Sequence, residues 1–169
     1  QRKPDNTRLW IKKMTEFNLY LALNAIEAGA NGIIIGDDLA YNQGLFLSAK
    51  DLRSLLFPYL MEEARIIKDY NTPVFFHSDG NINEILPDKV NAGFDGLHCL
   101  QPSAGMDLAK IKEEYGNQLC LMGTIELSKV LVFREAGELE EEIRINMEAG
   151  APGGGYIFGT CSGLTNGIS

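Results

Sequence analysis

Only two histidines, His77 and His98, one tryptophan and three cysteines occur among the 169 residues, so the side chains able to carry demanding chemistry are few. Cys99, Cys120 and Cys161 are odd in number and fall in or just after apolar runs, which suits reduced thiols better than a disulfide framework. Cys99 and Cys120 read as plain core residues. No apolar stretch approaches the roughly 20 residues of a membrane-spanning helix. The opening Gln1-Arg2-Lys3-Pro4-Asp5 lacks the apolar centre of a signal peptide, so the expected address is cytoplasmic. Basic charge is also short: 15 Lys and Arg stand against 23 Asp and Glu, giving a net charge of −8 and a pI near 4.8. Without a basic stripe to neutralise phosphates, nucleic-acid binding is disfavoured.

What the chain does have is a repeating order of helical and strand-like segments. Trp10, Met14, Phe17, Leu21, Ala25 and Ala28 recur at three- and four-residue steps, predicting an amphipathic helix that ends near Gly29. Gly32-Ile33-Ile34-Ile35-Gly36 is a short apolar run between glycines, as in a buried parallel strand. Ser48 and Asp51 form a capping box for a helix from Ala49, and Pro58 opens a second helical piece to about Asp69. Strand Val74-Phe75-Phe76, a helix capped by Asn81, strand Gly96 to Leu100, a helix from Met106 to Tyr115 and strand Leu119 to Met122 follow. A helix from Gly137 to Glu148, whose run Glu138 to Glu142 reads as a solvated face, precedes strand Tyr156-Ile157-Phe158. Five strands alternating with helices, without hairpin signals, predict a parallel sheet with right-handed crossovers.

The chemistry concentrates where Pro73-Val74-Phe75-Phe76 gives way to His77-Ser78-Asp79-Gly80-Asn81. Side chains at the carboxyl ends of parallel strands converge on one mouth, so His77 and Asp79 can act there as base, hydrogen-bonding groups or metal ligands. The plain alternative is a strand-end histidine bonded to loop backbone, with Asp79 and Gly80 making a turn. Asp37 and Asp38 end another strand, and because adjacent residues point to opposite faces, one of the two should face the mouth. Gln101 and Glu126 close two further strands, although Glu126 serves equally as a helix cap. His98 lies inside its strand and reads as a satisfied core residue. The triple glycine before Tyr156 precedes a strand, so it reads as a turn rather than a phosphate cradle.

Taken in order, Gly32-Ile33-Ile34-Ile35-Gly36-Asp37-Asp38, Phe57-Pro58-Tyr59-Leu60, Phe76-His77-Ser78-Asp79-Gly80-Asn81, Gln101-Pro102 and Gly153-Gly154-Gly155-Tyr156-Ile157 resemble the carboxyl-terminal half of the uroporphyrinogen decarboxylase superfamily. That superfamily contains porphyrin decarboxylases and corrinoid-linked methyltransferases. The resemblance implies a (β/α)8 TIM barrel of which residues 1–169 form a single domain covering about the last five strands, and it favours Asp38 over Asp37 at the mouth. The decarboxylase's catalytic histidine on the last strand's loop is matched here by Ser162. Methyltransferases that act on a thiol coenzyme carry a His-x-Cys zinc motif with a further cysteine near the last strand. Here Asp79 stands for the first cysteine, and the second falls at Cys161 or, by the better register, at Ser162.

The resemblance therefore implies a Zn²⁺ site of His77, Asp79 and Cys161 with an open position, catalytic roles for His77, Asp79 and Asp38, and substrate contacts from Asp37, Gln101, Glu126 and Ser162. With fewer thiolates than the relatives, such a site keeps more positive charge on the metal and suits an oxygen or amine leaving group. The leading expectation is methyl transfer from a small methylated compound to a corrinoid protein, with metal or acid assistance. The alternatives are decarboxylation of a carboxylated tetrapyrrole, and a non-catalytic half-barrel that pairs with a second copy to cover its sheet edges.

Overall fold

A computed structural model describes residues 4–126, 136–161 and 163. Its centre is a five-stranded sheet made of β1 (Ile33–Gly36), β4 (Val74–His77), β5 (Gly96–Cys99), β6 (Cys120–Ile125) and β7 (Tyr156–Thr160), in that spatial order. Every neighbouring pair is parallel. The crossovers carry α2 (Ala49–Leu55) and α3 (Phe57–Lys68), then α4 (Leu86–Asn91), α5 (Leu108–Tyr115) and α6 (Ala136–Gly150), while α1 (Pro4–Glu27) precedes β1. This is the α/β architecture of a partial (β/α)8 barrel. Among the described residues no helix is long and apolar enough to cross a membrane.

Local sequence accounts for most boundaries. Ser48 caps α2 by accepting the Asp51 amide at 3.1 Å while its hydroxyl donates to the Asp51 carboxylate at 2.9 Å. Asp107 caps α5 by accepting the Lys110 amide at 3.2 Å. Asn81 accepts the Asn83 amide at 3.1 Å, and the segment it opens runs as a short 3₁₀ turn, Asn83–Ile85, before α4. On α6, Arg144 pairs with Glu141 and Glu148, both at 2.6 Å, so its acidic run is a solvated face.

Strand period sorts the side chains into two layers. Phe76, Leu97 and Leu121 stand in register and are fully buried against the helices, where they join Leu60, Ile67 and Ile85 in one core. The opposite face presents Phe75, His77, His98 and Met122 in partly exposed positions, with Ile34 at 52% and Ile157 at 44% exposure.

Two expectations need correction. The chain does contain a hairpin, β2 (Ala40–Tyr41) with β3 (Gly44–Leu45), directly after Asp37-Asp38. Its strands are two residues long, too short to show a period of two, and Tyr41 stacks on Phe46 with ring centroids 5.6 Å apart. On α1 the stripe that fixes the helical period, Trp10, Met14, Phe17 and Leu21, is exposed, while Thr15 and Ala22 are buried. The helix is apolar on several faces, so periodicity establishes its existence but not which side packs.

Candidate functional site

Three strand ends bring the polar residues together. β4 delivers His77, β5 delivers His98 and Cys99, and the turn after β1 delivers Asp38. The amide of Asp79 donates to Asp38 Oδ1 at 2.8 Å, so the loop after β1 is tied to the loop after β4. His77 Nε2 lies 3.7 Å from Asp38 Oδ1 and 4.0 Å from Asp79 Oδ1. The Cys99 thiol donates to Asp79 Oδ1 at 2.9 Å. His77, Asp79 and Cys99 thereby each offer a ligand atom, all within 4.8 Å of one another.

One nitrogen, one oxygen and one sulfur donor are ligand types that zinc accepts. The thiol is strongly held in its protonated form: its contact with the Cys161 thiol, burial and the neighbouring Asp79 all push it up. A metal ion there would displace that proton, as it must for any thiol ligand. Cys161, implied above as the sulfur ligand, donates to the Cys99 carbonyl at 3.3 Å and stands outside the three-atom group. The contact with Cys99 lowers the Cys161 thiol from its ordinary value.

A second chain of bonds runs away from this group. The Gly80 amide donates to Gln101 Oε1 at 3.1 Å, and Gln101 Nε2 donates to Ser103 Oγ at 3.1 Å. Ser103 then gives both its amide and its hydroxyl to the Glu126 carboxylate, at 3.2 and 2.6 Å. Gln101 and Glu126 thus lie on one network with the His77 loop. Gly80 has φ of +80°, and a Cβ there would sit 2.6 Å from the Ala40 carbonyl carbon, so glycine lets the loop press on the hairpin. Leu39 donates to Ser78 Oγ at 3.0 Å and Asn81 to the Tyr41 carbonyl at 3.0 Å, completing the junction.

Asp37 takes the other side of its strand end. It lines a cavity of about 290 Å³ with Trp10, Leu60 and Glu63, and desolvation raises its carboxyl while Lys89 acts in the opposite sense. Ser162 lies outside the described residues. Two residues taken as core belong to the mouth instead, namely Cys99 and His98. His98 Nδ1 is 2.7 Å from His77 Nδ1, and its Nε2 is 3.0 Å from the Thr160 carbonyl. Burial first, then the neighbouring His77, lower its pKa against the pull of Thr160 and Asp79. The signal in the sequence is that the two histidines fall in successive strands, His77 at the end of one and His98 one residue short of the end of the next.

Comparison with known proteins agrees with this fold. Residues 1–169 match the family described as Uroporphyrinogen decarboxylase (URO-D). The chain is 30% identical over 127 residues to the uroporphyrinogen decarboxylase of Chlorobium phaeobacteroides, covering 74% of this chain and 34% of that protein. It is 29% identical over 145 residues to the methylcobamide:CoM methyltransferase MtaA of Methanosarcina barkeri, covering 83% of this chain and 41% of that protein. A solved methyltransferase from Methanosarcina mazei superposes with a TM-score of 0.76 at 26% identity, over 92% of this chain and 43% of that one. The chain spans about a third to two-fifths of the length of these relatives. Matched along its whole length and superposing on a solved relative over most of its residues, the chain belongs to the uroporphyrinogen decarboxylase family.

Proposed function

We propose that the protein of which this chain forms a barrel portion is a methyltransferase, moving a methyl group from a small methylated compound to a corrinoid protein. The observation that carries the reading is the convergence of His77, Asp79 and Cys99 donor atoms within 4.8 Å at the strand ends. Similarity to two proteins named as methyltransferases supports it. In such a transfer the heteroatom leaves with the bonding pair as the methyl passes to its acceptor, and a proton or a positive charge at that heteroatom lowers the barrier.

His77 Nε2, the Asp79 carboxylate and the Cys99 sulfur would hold zinc, with Cys161 the neighbouring thiol able to substitute. The ion, when bound, supplies Lewis-acid polarisation of the leaving group. Asp38 orients Asp79 through its amide, and Gln101 and Glu126 fix the loop wall against which a polar part of the donor would rest. Ser162 remains a candidate substrate contact, and Asp38 rather than Asp37 is the carboxylate beside His77, since Asp37 faces the cavity with Trp10 and Glu63 and could touch only a donor that reached there. Decarboxylation of a carboxylated tetrapyrrole is the second reading, favoured by the 30% identity to a decarboxylase.

The test is elemental analysis of the zinc-replete protein together with His77→Ala and Asp79→Ala. About one zinc per chain, lost in both variants, supports the methyltransferase, which is then assayed with methylated donors and a corrinoid acceptor. Absence of zinc combined with consumption of a porphyrinogen by the full-length protein overturns it.

A further inference from the structure

The two histidines of the mouth face each other through the same ring atom, Nδ1 to Nδ1 at 2.7 Å. At that distance one nitrogen carries a hydrogen and the other must be bare. The far side of His98 decides which. Its Nε2 lies 3.0 Å from the Thr160 carbonyl, and a carbonyl oxygen only accepts, so His98 Nε2 bears a hydrogen. Above the ordinary imidazole range, near pH 7 and higher, His98 carries a single hydrogen, and with that hydrogen on Nε2 its Nδ1 is the bare acceptor. His77 must then carry its hydrogen on Nδ1, which leaves the Nε2 lone pair free on the side of Asp38 and Asp79.

We propose that His98 is a positioning residue: bonded to the Thr160 carbonyl, its ring pins the hydrogen of His77 on Nδ1 and so presents a bare His77 Nε2 to the two carboxylates. A hydrogen bond to one ring nitrogen selecting the tautomer at the other is how protein surroundings orient ligand histidines. Here the orienting group is a second histidine, and behind it stands the backbone of the last strand, so three strands set one lone pair. Among the described residues no other hydrogen-bond partner of His77 Nδ1 is present. The consequence for zinc or for a proton rests on the reading of the mouth given above, whereas the tautomer itself does not.

The experiment is long-range ¹H–¹⁵N NMR of the imidazoles in the full chain without added metal, followed by zinc titration. With two histidines in the sequence, His98→Gln leaves His77 as the single signal and assigns the spectrum. The expected result is a His77 ring protonated at Nδ1 and bare at Nε2 in the native chain. The same tautomer should persist in His98→Gln, whose side-chain oxygen can accept from Nδ1 while its amide reaches Thr160. In His98→Phe, His77 should lose the single tautomer and zinc affinity should fall about 10- to 100-fold, the range typical of outer-shell partners. A native His77 protonated at Nε2 overturns the proposal, as does an unchanged tautomer in His98→Phe. If the native chain shows the expected tautomer yet takes up no zinc, the inference stands and the metal-assisted reading fails.

Discussion

Charged and polar side chains occupy two regions of this half-barrel under opposite conditions. Past the carboxyl ends of the strands, Asp38, Asp79, Gln101, Ser103 and Glu126 are held by hydrogen bonds, and all but the buried Glu126 keep access to solvent. Between the sheet and the helices, Lys89 and Glu63 are buried, and the Lys89 ammonium and Glu63 Oε2 have no hydrogen-bond partner among the described residues. Lys89 Nζ instead rests over aromatic faces, 3.3 Å from the Phe76 ring centroid and 4.6 Å from that of Phe57. Glu63 Oε1 accepts from Asn18 Nδ2 at 3.2 Å. The contrast teaches that the mouth can hold ionised groups at little cost, whereas the buried layer makes stability depend on whether two lone groups are charged.

The comparison breaks most visibly if the mouth turns out to be structural. His77→Ala should weaken zinc binding by more than the roughly 100-fold seen for outer-shell changes, while unfolding free energy moves by less than about 1 kcal/mol. Competitive zinc titration and urea unfolding on the same preparation check both halves.

Next in size is Lys89→Met, which keeps the volume and removes the charge. Burial brings Lys89 down to about 7, so the folded state binds fewer protons than the unfolded state between pH 7 and 10.5. The cost is therefore complete below pH 7 and is relieved as pH rises toward 10.5. At pH 6 the variant should be more stable by up to about 5 kcal/mol, a gain that vanishes near pH 10.5. A destabilised variant at pH 6 would mean that the aromatic faces more than offset desolvation.

Glu63→Gln should have a smaller effect of the same origin. Burial raises Glu63 from 4.5 to about 7, so its neutral form is favoured in the fold and stability declines as pH climbs from 4.5 through 7, with no recovery above. Glutamine keeps an acceptor for Asn18 and should add about 2 kcal/mol at pH 8 and nothing at pH 4. Together the two groups predict a native stability profile that dips near neutrality, readable from urea midpoints across pH. The smallest effect is reserved for the mouth: Ser103→Ala removes the hydroxyl bond to Glu126 and should cost about 1 kcal/mol.

The α/β order, the capping at Ser48 and the strand carrying His77 were legible because each depends on neighbours a few residues apart. His98 and Cys99 were not, because their roles depend on register. His77 pairs with His98 across β4 and β5, an alignment that only the assembled sheet supplies. Strict alternation would turn Cys99 away from the His98 face, yet its thiol reaches Asp79 just past the end of the neighbouring strand. Lys89 was hidden for the converse reason: a lysine in a short helix ordinarily reaches water, and only the packing of Phe57, Phe76 and Phe94 around it shows otherwise.

Gly80, pressed on Ala40, makes the hairpin and the His77 loop a single hinged plate rather than two loops. The Leu39, Asp79 and Asn81 amides all cross that seam, to Ser78, Asp38 and Tyr41. Their hydrogens should therefore exchange with solvent in unison, at one rate set by one opening event. Each such opening would part Asp38 from Asp79, so the carboxylate pair beside His77 stays assembled only while the seam is closed.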